Sequence, residues 1–187
     1  MRNSKSRLKI RMLCESAVMV VLAQILGYLK LWEMPWGGSV CLAMLPIFVV
    51  ACRWGVSVGL MSGFVLGVLQ FLFDGGIALG WQSIIGDYLL AFTALGIAGL
   101  FCRKPAGLVM GALLGSAGRF LVHYVVGATI WAEYMPEEFF GLTMTTPWVY
   151  SLLYNLAYML PNMLITLLVA VLLEKKLRKF LLGQDLV

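Results

Sequence analysis

Gly107-Leu-Val-Met-Gly111-Ala-Leu-Leu-Gly115-Ser-Ala-Gly-Arg119-Phe-Leu-Val-His123-Tyr-Val-Val-Gly127-Ala-Thr-Ile-Trp131-Ala-Glu-Tyr134 decides how the rest of the chain is read. The stretch is apolar and helix-length, yet Arg119, the chain's only histidine (His123), Gly127 and Trp131 follow one another at four-residue steps. Residues four apart are neighbours on a helix surface. Each step overshoots a full turn by about 40°, so these side chains form a slowly winding strip. Ionisable groups inside a membrane-length helix are costly and face a cavity or a partner. The first half repeats the step with Gly107, Gly111 and Gly115, which suits close helix packing. One end of this helix is built for packing and the other for chemistry.

The remaining composition fits that reading. In 187 residues, 61% are hydrophobic and only 12% charged, and the mean hydropathy is +0.93. A soluble globular domain is excluded. The formal net charge of +5 does not point to nucleic acid, because nine of the 14 basic residues lie in the two tails, within residues 2–11 and 175–179. Such a distribution sets membrane orientation. One histidine and no CxxC pair exclude a structural zinc site. No GxxxxGK[ST], HExxH or GxSxG is present, so no phosphate-cradling loop, metalloprotease helix or nucleophile elbow is expected.

The pattern predicts an all-α integral membrane protein, one membrane domain over 1–187 with six transmembrane helices at about 12–31, 40–52, 55–73, 82–101, 107–131 and 148–173. A basic amphipathic lead-in (2–11) precedes the first, which is read as retained and not as a cleaved signal. The third carries Gly55, Gly59, Gly63 and Gly67, a ladder for tight packing. Asp74-Gly75-Gly76 marks a turn, and Pro161 marks a kink in the last helix. With both termini cytoplasmic, twelve basic residues fall on the inner side and only Lys30 on the outer.

That topology brings distant residues to one depth. Asp87 sits near the outer end of the fourth helix, His123 and Trp131 in the outer half of the fifth, and Tyr150 and Asn155 in the outer third of the sixth. A loop carrying Glu33 and Trp36 lies above them. A carboxylate within a span is a functional candidate by default. With aromatic faces, an imidazole and a carboxamide, Asp87 suits a small, flat, cationic heterocycle. Arg119 either pairs with Asp87 or meets a hydroxyl or carbonyl of the ligand. Taken singly, the tyrosines and Trp131 read as interfacial belt residues and His123 as a hydrogen-bonded core group. Their shared depth favours a pocket.

Asp87-Tyr88 followed by Leu95-Gly-Ile-Ala-Gly-Leu-Phe101, the Arg119-His123-Gly127-Trp131 spacing, Tyr150-Ser-Leu-Leu-Tyr-Asn155 and Pro35-Trp-Gly-Gly-Ser39 carry a resemblance over nearly the whole chain. The chain resembles the thiamine-specific substrate-binding (S) component of energy-coupling-factor (ECF) transporters. The resemblance implies a non-enzymatic protein of the bacterial plasma membrane, without a cofactor, that captures thiamine from outside with high affinity. It implies three partners: a transmembrane coupling subunit and two cytoplasmic ATPases, within the lipid bilayer. Carried over by position, the ligand-binding residues are Asp87, Tyr88, Arg119, His123, Gly127, Trp131, Tyr150 and Asn155, with Trp36 and Glu33 from the first loop. Trp131 and His123 would flank a ring, Asp87 would offset charge, and Tyr150 and Asn155 would hydrogen-bond. Family members can carry Glu and Lys where this chain has Asp87 and Arg119, which keeps charge and changes reach. The family docks through Ala-x-x-x-Ala on its first helix, and Ala17 with Val21 takes that spacing here. Two other readings stay open: an S component for another vitamin or a thiamine precursor, and a non-transport membrane scaffold or intramembrane enzyme.

Overall fold

The computed structural model describes residues 2–73 and 78–186; the Asp74-Gly75-Gly76 turn lies outside the described residues. Among the described residues, seven helices, a short 3-10 turn (Ala132–Tyr134) and two short hairpins follow one another: α1 (Arg2–Tyr28), β1 (Trp32–Glu33), β2 (Ser39–Val40), α2 (Met44–Trp54), α3 (Val56–Phe73), α4 (Gly80–Phe101), α5 (Gly107–Thr129), β3 (Glu138–Phe139), β4 (Leu142–Thr143), α6 (Pro147–Lys176) and α7 (Arg178–Leu181). Five of them are long and apolar enough to cross a membrane: Lys5–Tyr28 within α1, then α3, α4, α5 and α6.

The second helix departs from the sequence expectation of 40–52. Val40 pairs with Trp32 in an antiparallel hairpin, so the helix starts only at Met44. Pro46 falls in its first turn, where a backbone N–H has no intrahelical partner to lose. Its 11 residues rise about 16 Å, well short of a hydrocarbon core of about 30 Å. Every position from Met44 to Arg53 is buried. With Phe48, Ile47, Leu66, Leu95 and Leu108, α2 forms the centre of the bundle.

Other boundaries shift for local reasons. Neither Gly nor Pro interrupts residues 2–26, so the basic lead-in is the first part of α1 itself. α6 opens with Pro147, capped by the Thr146 hydroxyl, which accepts from the Val149 N–H at 3.3 Å. It continues as helix through Pro161. The glycine ladder of α3 lies directly on the backbone of α4: a Cβ at Gly63 or Gly67 would collide with the carbonyl of Phe92 or Tyr88. α4 adapts by changing pitch, with a π-helical segment at Ile84–Leu90 and a 3-10 segment at Ala94–Phe101.

Both chain ends meet at one end of the bundle. Arg53, 1% exposed, reaches Glu15 of α1 at 2.5 Å and Asp185 at 2.9 Å. It also donates to the Phe180 carbonyl and lies 3.6 Å over the Phe180 ring. Arg11 binds Asp185 as well. The opposite end carries the β1–β2 hairpin over a pocket, so the fold separates a charged clasp from a site.

The Arg53 guanidinium holds the Asp185 carboxyl down from its ordinary 3.8 to about 2. A depressed carboxyl contributes stability above its unfolded value and loses it as pH falls through the folded one. Thermal unfolding in detergent between about pH 4 and 2 should therefore show a steeper loss of Tm for the natural chain than for Asp185→Asn. Equal slopes would show that the clasp carries no stability.

Candidate functional site

Asp87 sits in the π-helical segment of α4, half-buried at the mouth end of the bundle. Segments of this kind widen a helix by one residue and recur at functional sites. Three donors converge on its carboxylate: His123 Nδ1 at 3.0 Å, Trp131 Nε1 at 2.8 Å and the Ser83 hydroxyl at 2.8 Å. Arg119 Nε donates to His123 Nε2 at 3.3 Å. That bond fixes the tautomer, with the imidazole neutral and its proton on Nδ1, aimed at Asp87. The anticipated choice for Arg119 thus resolves: it does not pair directly with Asp87, because a neutral imidazole stands between the two charges. Its guanidinium lies 4.1 Å over the Phe92 ring.

α6 forms the facing wall. Tyr150, Tyr154 and Tyr158 recur every fourth residue and touch edge to face, at 5.6 Å and 6.3 Å between ring centroids. The Tyr154 hydroxyl accepts from the Trp36 N–H at 2.9 Å and donates to the Gly37 carbonyl at 3.0 Å, which ties the first loop across the pocket. Trp36 meets Tyr134 at 5.6 Å and Tyr134 meets Trp131 at 5.8 Å, a continuous aromatic roof. At Gly127 α5 and α6 approach closely: a Cβ there would strike the Ser151 hydroxyl and stand 3.3 Å from Asn155 Nδ2.

The cavity so enclosed measures about 140 Å³. The five residues that the topology brings to one depth line it, as do Tyr88, Arg119 and Gly127, which the resemblance adds, and Trp36 and Glu33. Two of them also hold partners within the protein. Glu33 is ion-paired to Lys30 at 2.8 Å on the rim. The Asn155 amide is committed within the protein, donating to the Ser151 carbonyl at 2.9 Å while its oxygen accepts from Tyr158 at 2.9 Å. Ala17 and Val21 lie away from the pocket, exposed on α1.

Sequence reasoning left out Gln70, Phe92, Ser151, Tyr154 and Tyr158, which also line the cavity. The four-residue tyrosine register and a glutamine inside an apolar helix were usable signals. The contribution of Phe92 had none. Among the described residues, no cluster of His, Cys, Asp or Glu is arranged to hold a metal ion. The pocket therefore offers one clustered carboxylate, aromatic faces on several sides and an arginine screened by histidine. This is binding chemistry for a flat, positively charged ring.

Comparison with known proteins points the same way. The family described as Thiamine transporter protein (Thia_YuaJ) matches residues 13–182. The thiamine transporter ThiT of Bacillus subtilis is 34% identical over 155 residues, covering 75% of this chain and 78% of the relative. ThiT of Lacticaseibacillus paracasei is 27% identical over 155 residues, covering 74% of each. A solved structure of ThiT from Listeria monocytogenes shares the fold, with a TM-score of 0.80 over 92% of this chain and 98% of that one at 24% identity.

Replacing Tyr154 with Phe removes two of the side-chain bonds that hold the first loop, while Asn162 Nδ2 still donates to the Ser39 carbonyl at 2.9 Å. Each is worth about 1 kcal/mol, so Tm should change little while amide hydrogen exchange at residues 34–38 accelerates several-fold. Unchanged protection in that loop would show that the hairpin holds itself.

Proposed function

The chain belongs to the thiamine transporter protein family, and from that premise we propose that it is the high-affinity thiamine-binding S component of an ECF-type ABC importer. It is a multi-pass protein of the cell membrane and a transport protein, not an enzyme. The observation that carries the thiamine reading is the position of Asp87, a carboxylate held inside an aromatic-walled pocket. Thiamine supplies the matching chemistry: a flat thiazolium cation joined to an aminopyrimidine with donor and acceptor edges.

In this reading six apolar helices lie in the membrane, α2 being a short, wholly surrounded one, and both termini face the cytoplasm. The charge asymmetry supports that orientation, and so does the clasp that joins Arg11, Arg53 and Asp185 at one end. The pocket then opens outward. Trp131 and His123 flank one ring of the ligand, Asp87 offsets its charge, and Tyr88, Tyr150 and Arg119 address its polar groups. Gly127 lets α5 close on Ser151 and Asn155 of α6 at the pocket wall, while Trp36 caps the site. Asn155 acts by holding Ser151 and Tyr158 in place more than by direct contact. The chain has no phosphate-binding loop of its own, so uphill uptake depends on a transmembrane coupling subunit and two ATPases. Ala17 and Val21 belong to an exposed apolar face of α1 that includes Leu13 and Val18, the face proposed to meet the coupling subunit.

Calorimetric titration of the detergent-purified chain should give saturable thiamine binding, and Asp87→Asn should weaken it at least about 30-fold, as for loss of one member of a buried charge pair. No heat with thiamine from a folded chain, or an Asp87→Asn variant that binds equally well, contradicts the assignment. Ala17→Arg separates capture from transport: thiamine binding should persist while uptake into cells that supply the energising module is lost. Normal uptake by that variant would place the docking face elsewhere.

A further inference from the structure

The β3–β4 hairpin lines no part of the cavity, yet it ends in apolar side chains. Its two-residue turn is Phe140-Gly141, both left-handed at φ +52° and +75°. Such a turn suits Asn-Gly, and a bulky Phe in the left-handed region is an outlier. Phe140 is 67% exposed and Leu142 55%. Phe139 pairs with Leu142 and Glu138 with Thr143. Cross-strand partners share a face and successive residues alternate, so Phe139 and Leu142 occupy one side of the ribbon and Glu138 and Thr143 the other. The hairpin is amphipathic.

The level of that ribbon in the bilayer follows from α6. Trp148, Leu152, Leu156, Leu160 and Leu164 recur at four-residue steps and are all exposed, which is the face this span turns to lipid. The exposed apolar residues of α6 run from Trp148 to Leu172, a rise of about 36 Å. That exceeds a hydrocarbon core of about 30 Å, so Trp148 belongs to the interfacial zone where tryptophan concentrates. The hairpin folds back to this level. Between ring centroids, Phe139 lies 5.3 Å from Tyr150 and 5.9 Å from Tyr154, both in the first turns of α6. Phe140 lies 4.3 Å from Phe139. An exposed Phe and Leu outside the cavity, level with the start of a lipid-facing helix, meet the same lipid.

We propose that the β3–β4 hairpin is an interfacial membrane anchor: Phe140 and Leu142 insert among lipid chains just beneath the headgroups, while Glu138 and Thr143 turn to water. Shallow insertion of one apolar face is the mode of amphipathic surface segments. The occupant is apolar lipid and not an anionic headgroup, because Glu133, Glu137 and Glu138 stand exposed beside the ribbon and repel negative charge. The two cross-strand pairs and the bond from the Met144 N–H to the Glu137 carbonyl at 2.9 Å meet backbone groups that lipid could not. Through Phe139 the anchor braces Tyr150 and Tyr154, which wall the pocket. The inference rests on the chain being a multi-pass membrane protein and requires no particular ligand.

The test places one new cysteine on either face of the hairpin, Phe140→Cys or Glu138→Cys, in the full chain held one copy per nanodisc of phosphatidylcholine. Reaction with a charged, water-soluble maleimide is followed at each site by peptide mass, so the natural cysteines do not interfere. The reagent needs a thiolate, which apolar surroundings suppress, so Phe140→Cys should react at least about tenfold more slowly than Glu138→Cys. Comparable rates at the two positions put the tip in water and overturn the proposal. Protection of Phe140→Cys that appears only with anionic lipid overturns it in favour of headgroup charge. Protection that needs two chains per disc overturns it in favour of a contact between copies. Should thermal unfolding in detergent show that Phe140→Cys does not fold, Leu142→Cys on the same apolar face takes its place with the same expected rate.

Discussion

A single carboxylate inside an apolar bundle is the constraint around which the rest of this structure is arranged. Leaving Asp87 unpaired at membrane depth would cost several kcal/mol. The fold meets that cost with donors from three places: Ser83 one turn earlier in α4, His123 on α5 and Trp131 just beyond its end. Each donor is then held in turn. Arg119 fixes the His123 tautomer, and Tyr134 packs against Trp131. A network satisfied in this way is rigid, so the pocket is shaped before a ligand arrives, and less ordering free energy is lost on binding.

Close backbone packing makes that network possible. The α3 glycines let α4 approach until its carbonyls touch α3, and α4 accommodates the contact by changing from π-helical to 3-10 pitch. The π-helical part carries Asp87 and the tighter part fills the other end. α2 contributes by being short. Stopping at Trp54 puts Arg53 where it can gather Glu15, Phe180 and Asp185, and starting at Met44 leaves residues 32–40 to form the hairpin above the pocket. One end of the bundle is thereby fastened by charge and the other closed by aromatic rings.

Much of this was legible in the sequence because membrane helices simplify the code. The four-residue strip Arg119-His123-Gly127-Trp131 stood out because polar groups are rare in apolar helices, and the structure sets that strip on the pocket wall. The α3 glycine ladder was visible for the same reason. Less was visible where tertiary contacts override local pattern. Nothing in residues 40–54 announces that pairing with Trp32 delays the helix, and no local signal marks the pitch changes of α4, which answer to α3. Asn155 reads as a ligand contact by type, and its type does not announce that its amide also holds Ser151 and Tyr158. Gln70 carries no local sign of its partner Gln24, 46 residues away.

The central claim is that a cationic heterocycle is held against Trp131 in this pocket. Intrinsic tryptophan fluorescence of the detergent-purified chain during thiamine titration tests it most directly, with a Trp131→Phe variant measured alongside. The account predicts saturable quenching that the variant loses almost entirely while other tryptophans still emit. Quenching of the same depth in both proteins, or thiamine binding with no change in emission, would contradict it.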